Sequence, residues 1–175
     1  MKTSKQDNEW NLKLSWLNNA STGNIILVSD MKIELAQALW QIGKLSAEKL
    51  PDVAIQALRR GFDGSALREL AGLQKPTKQD IGDLFDRALK EVECLPISKR
   101  EASLIVAKNI AQEIINGNIE PYEGARRIWW DIWDQNRELD ELKVFVGLAS
   151  GYEDEPNHQQ KYANDIIKEA RKLIV

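Results

Sequence analysis

Cysteine occurs once in this chain, at Cys94, and histidine once, at His158. A single thiol excludes an intramolecular disulfide, so nothing here asks for an oxidising compartment. The pair also leaves few routes to nucleophilic catalysis, because a cysteine nucleophile wants a base beside it and these two are far apart in sequence. There is no zinc-type Cys/His spacing, no glycine-rich phosphate loop, no G-x-S-x-G and no HExxH. Unbroken apolar runs such as Ile25–Val28 stop at four residues, far short of the roughly 20 that span a bilayer. The polar stretch Met1–Glu9 has no apolar core of a secretory signal, so the expected location is the cytoplasm and no membrane partner is expected. Neither charge sign dominates. Lys and Arg number 24 against 27 Asp and Glu, a net charge of −3, which argues against a protein that coats nucleic acid.

What is present describes an ordinary globular chain. Of its 175 residues, 43% are apolar and 29% charged, enough to bury a core without disulfides or a structural metal. Residues 1–9 read as a flexible tail. Trp10, Leu12, Leu14 and Trp16 alternate with polar residues, Asn18–Gly23 is turn-like and Asn24–Val28 can return. The expectation is a β-hairpin over 10–28, which must lie on the helices or on another chain, since a lone hairpin is marginal in water.

Residues 29–175 read as a single α-helical domain, a bundle of about seven helices. Helices are expected over Met31–Ile42, from Ser46 to Arg60 with an interruption at Pro51, and from Ser65 to near Gly72. Thr77-Lys-Gln-Asp80 has the form of a capping box with Asp in place of Glu. Behind it Ile81, Leu84, Phe85, Ala88, Leu89 and Val92 predict one amphipathic helix, with Cys94 as a core thiol at its end. Ser98-Lys-Arg-Glu101 is a full capping box. The helix it opens, reaching Asn116 before Gly117, carries Leu104, Val106, Ala107, Ile110, Ala111, Ile114 and Ile115. It is the expected central helix, with Ile110 and Ile114 fully buried. Helices from Pro121 to about Gln135, over Leu139–Tyr152, and along the face Tyr162, Ala163, Ile166, Ile167, Ala170, Leu173 and Ile174 complete the bundle.

Two features stand out as candidate sites. On a helix, Tyr122, Ala125, Ile128, Trp129, Ile132 and Trp133 form an apolar arc, with Trp130 at its edge and Arg126 inside it. Such an arc ordinarily faces a core. Its functional reading puts Arg126 and Trp130 at a binding surface, where Trp and Arg serve as anchors. The second feature is charge. From Asp131 to Glu155 the acids are Asp131, Asp134, Glu138, Asp140, Glu141, Glu153, Asp154 and Glu155, and the bases only Arg137 and Lys143. Such an excess is either a solvated face or a patch that steers a basic partner. Glu153, Asp154, Glu155 and His158 could ligate a divalent ion, but they lack EF-hand spacing and a glycine hinge. Val53–Arg60, a turn, and Ser65–Gly72 have helix-turn-helix proportions, with Arg59, Arg60 and Arg68 as the bases for DNA.

Three stretches, Ser65–Leu73, Pro121–Trp130 and Phe145–Ser150 followed by Glu153-Asp154, resemble parts of uncharacterised bacterial helical proteins of the general type of small immunity proteins that neutralise toxins. The resemblance implies a helical fold over most of 50–175 and assigns no functional residue. The expectation is a protein-binding module with no catalytic residue, metal or cofactor. Its partner-binding surface is Arg126, Trp130, Asp131, Asp134, Glu153, Asp154 and Glu155, and the partner is a protein with a basic surface. The alternatives are a helix-turn-helix nucleic-acid binder and a carboxylate-based enzyme.

Overall fold

The computed structural model describes residues 31–175, so the 10–28 hairpin lies outside the described residues. The fold is mainly α, and no strand occurs among the described residues. Nine α-helices follow in order among the described residues: α1 Ile33–Gln41, α2 Leu50–Arg59, α3 Ser65–Ala71, α4 Lys78–Ile81, α5 Leu84–Glu91, α6 Lys99–Ile115, α7 Pro121–Arg127, α8 Lys143–Asp154 and α9 Gln159–Ile174. Short 3-10 turns precede α2, α8 and α9. No helix among these is long and apolar enough to cross a membrane.

Both capping boxes form. Thr77 Oγ1 accepts the Asp80 N–H and Ser98 Oγ accepts the Glu101 N–H, while each acid reaches back to the cap N–H. The Thr77 hydroxyl and then the Thr77 N–H hold the Asp80 carboxyl below its ordinary range, and the Ser98 N–H and then its hydroxyl do the same for Glu101. Gly43, Gly61 and Gly117 take positive φ just after helices, where an L-residue would be strained.

The core gathers along α6. Its buried face is Ala102, Ser103, Val106, Ala107, Ala111 and Ile114. The small residues let α1 and α9 approach α6 closely, and α7 packs near its end. A second layer, α3 with α2 and α5, closes around Leu50, Leu67, Leu70, Phe85 and Leu89.

Four expectations need correction. Ile110 is only partly buried, because the buried stripe follows the alanines and turns it toward the rim. Pro51 does not interrupt α2 but lies in its first turn, where the missing N–H is no loss. The helix over 80–92 is broken at Gly82, whose φ of 47° ends α4 and lets α5 start afresh. Finally, the helix begun at Pro121 is α-helical only to Arg127. From Ile128 to Trp133 it widens into a π-helix, with the Asp134 N–H donating to Trp129 O at 2.9 Å.

Candidate functional site

The tryptophan-bearing π turn follows α7. Ile128 and Ile132 are buried, and Trp129 and Trp133 pack against the core. Trp130 lies beside Trp129, its ring centre 6.0 Å away and tilted by 56°. The Arg126 guanidinium covers Trp130 at 4.8 Å from the ring centre and reaches the Tyr122 ring at 5.9 Å. Glu123 holds that guanidinium in place, accepting from Arg126 Nη2 at 2.8 Å and Nε at 3.1 Å. Its other oxygen accepts from Arg127 Nε at 3.1 Å. The sequence-predicted pair Arg126 and Trp130 is therefore brought together, with Arg126 as the clamp on the indole.

Tyr122 extends this chain of contacts to α8. Its ring stacks on Tyr152, with centres 4.5 Å apart and planes 12° from parallel. Its hydroxyl donates to Glu153 at 2.6 Å. Burial, then the bond to the Glu153 carboxylate, pushes the Tyr122 hydroxyl up to about 12. Glu155 is held the same way by the Tyr162 hydroxyl, also at 2.6 Å, and that bond raises the Tyr162 pKa. The Tyr162 ring passes over Gly151, where a Cβ would lie 2.5 Å from the ring. Between these two acids, Asp154 accepts the Ser150 hydroxyl at 3.3 Å.

Three successive carboxylates thus each accept an O–H. A hydroxyl fixes a carboxylate without cancelling its charge. No lysine or arginine pairs with any of the three among the described residues. His158 Nδ1 lies 3.1 Å from Glu155, and the Lys161 ammonium sits over the Tyr162 ring at 6.0 Å. All three acids are exposed at the end of α8, which has no basic residue in its last turn.

Of the remaining acids in this stretch, Asp131, Asp134 and Glu141 are paired with bases, while Glu138 and Asp140 form no ion pair among the described residues. Asp131 pairs with Lys44 at 2.7 Å, which ties the π turn to the residues after α1. Asp134 pairs with Arg137 at 2.8 Å, and Glu141 with Arg100 at 2.6 Å. No three of His, Cys, Asp and Glu come together as a metal site among the described residues.

In the α2–α3 pair, two of the three bases expected to contact DNA are engaged within the fold. Ala66, Leu67 and Leu70 of α3 are buried, and Arg68 pairs with Asp63. Arg60 Nη1 donates to Met31 O. A recognition helix presents its first turn to the bases, whereas the first turn of α3 holds a carboxylate. Glu91 accepts from Ser65 Oγ at 2.7 Å and from the Ala66 and Leu67 N–H groups at 2.8 and 3.3 Å.

Sequence reasoning missed Tyr122, Tyr152, Tyr162, Ser150 and Glu123. Only Glu123, three and four residues before its arginines, left a readable spacing. No family model, curated protein or solved structure matches this chain.

Proposed function

We propose that this chain is a protein-binding module whose Glu153–Glu155 edge docks on a basic protein surface. It would serve as a regulatory or toxin-neutralising partner of the immunity type. One observation carries the reading: Glu153, Asp154 and Glu155 are exposed, oriented by hydroxyls and paired with no lysine or arginine among the described residues. Their position costs stability. A helix C-terminus bears roughly half a negative charge, so acids there are repelled. Departures from a local stability rule concentrate where function requires them. Holding side chains in place before binding also reduces the entropy lost on association. Trp130, covered by Arg126 and lying next to Trp129, supplies an aromatic contact linked to the acids through Arg126 and Tyr122.

The test is affinity purification from the native cell at low and high salt, using wild type and the triple variant Glu153→Gln, Asp154→Asn, Glu155→Gln. The reading expects a protein with a basic surface that wild type retains at low salt and the variant loses. Equal retention by both chains would contradict it.

A further inference from the structure

Away from the residues of the acidic edge, α1, α5 and the segment Cys94–Ile97 line a cleft of about 290 Å³. This is near the lower end of the range for small-ligand sites, about 300–1,000 Å³. The walls are set in advance. Trp40 stands edge-on to Phe85, with centres 6.0 Å apart and planes at 81°. The chain leaves α5 through Glu93, whose φ of 60° is unusual for a residue with a side chain. The Cys94 N–H donates back to Leu89 O at 2.9 Å, and Gln37 Nε2 donates to Leu95 O at 2.8 Å, which fastens the segment to α1. Trp40, Leu89, Cys94, Pro96 and Ile97 supply the apolar part of the lining, beside the side chains of Gln37 and Gln41. Burial pushes the Cys94 thiol up, so it stays neutral and adds to that lining.

The rim carries one charge of each sign, Asp86 and Lys90. They lie four apart on α5, a spacing that places side chains side by side with about 5–6 Å between Cβ atoms. They form no ion pair with each other, and neither pairs with any other group among the described residues. Two opposite charges four residues apart, unpaired among the described residues, stand over a lining that mixes apolar faces with the Gln37 and Gln41 amides, and match a ligand that carries charges of both signs beside an apolar group.

We propose that this cleft binds a small zwitterion, a free α-amino acid with an aromatic or large aliphatic side chain. Its ammonium meets Asp86, its carboxylate meets Lys90, and its side chain lies against Trp40, Leu89 and Ile97. The site is independent of the acidic edge of α8, so either reading can fail alone.

The experiment is a titration of the ¹⁵N-labelled full chain, followed at the Trp40 indole N–H and assigned with Trp40→Phe. The probes are phenylalanine, phenethylamine, 3-phenylpropionate and glycine. Phenylalanine should shift the Trp40 signal saturably. Each analogue lacking one charge or the side chain should bind at least about ten-fold more weakly, a difference of about 1.4 kcal/mol. Asp86→Asn should weaken phenylalanine but not 3-phenylpropionate, and Lys90→Gln should weaken phenylalanine but not phenethylamine. Both positions are exposed, so both variants should melt as wild type does. If one does not, Asp86→Glu or Lys90→Arg takes its place and should restore binding. No saturable shift at Trp40, or equal affinity for phenylalanine and its singly charged analogues, overturns the proposal.

Discussion

The Tyr122 hydroxyl donates to the Glu153 carboxylate across 2.6 Å, joining the first turn of α7 to the last turn of α8. Through its ring and the Arg126 guanidinium, the same tyrosine reaches Trp130. The two features of the C-terminal third, tryptophans and acids, are therefore one connected structure.

A pH dependence follows for Tyr122. Its pKa rises from 10.0 to about 12 on folding. A raised folded value contributes stability that is present in full below the unfolded pKa and lost as pH climbs through the folded one. Stability should fall between about pH 10 and pH 12, and Tyr122→Phe should flatten that slope while keeping the Tyr152 stack. Urea melts across this range test it; an unchanged slope in Tyr122→Phe would remove Tyr122 as the cause.

Glu91 predicts the opposite edge of the pH range. Its bonds to Ser65, Ala66 and Leu67 lower its pKa, the Ser65 hydroxyl most. Stability from this cap is present above the unfolded carboxyl value of 4.5 and disappears as pH falls through the folded one. Glu91→Gln should lower the melting temperature at neutral pH and converge on wild type in acid. Gly64→Ala should mimic it, since a Cβ there would crowd the Glu91 side chain, with Glu91 Cβ only 2.9 Å away. Melts that stay parallel down to acid pH would refute this role.

The contrast between Ile114 and Ile110 tests the core. Ile114 is 3% exposed and Ile110 only partly buried. Ile114→Ala should cost about 2–5 kcal/mol and Ile110→Ala less, by denaturant titration. Gly124→Ala should cost about 1–3 kcal/mol, because its Cβ would collide with Ile114. Combined with Ile114→Val, the loss should be less than additive.

These residues also mark what the sequence could and could not disclose. Local chemistry was legible: both capping boxes, the glycine stops after α2 and α6, and the boundaries of α3 follow from residues within one turn of each other. Ile110 was misplaced because periodicity finds an apolar arc without saying which part of it neighbours reach. The π turn left no signal, since the apolar spacing runs on past Arg127 as it would in an α-helix. For the site, the acids and the Arg126–Trp130 pair were readable. Which acids keep their charge was not, because Lys44 and Arg100 arrive from elements remote in sequence to neutralise Asp131 and Glu141, and Tyr122 is brought to Glu153 only by the fold.

Trp130→Ala separates anchor from core. Trp130 lies next to Trp129 and under Arg126, whereas Ile128 and Ile132 fill the interior. The substitution should lower the melting temperature only modestly, through loss of the Arg126 and Trp129 contacts, and should speed dissociation of a bound partner, as loss of an aromatic anchor does. A large fall in melting temperature with unaltered dissociation would make it a structural residue.

The most direct measurement is the association rate of the captured basic partner as a function of salt, for wild type and for the Glu153→Gln, Asp154→Asn, Glu155→Gln variant. Long-range attraction is screened within about 8 Å at physiological ionic strength but extends to about 30 Å at 0.01 M. Wild type should therefore associate steeply faster at low salt, with dissociation changing less. The variant should lose most of that acceleration and keep its melting temperature, since exposed charges contribute little to folding. A variant that associates at the wild-type rate at every salt concentration would contradict the account.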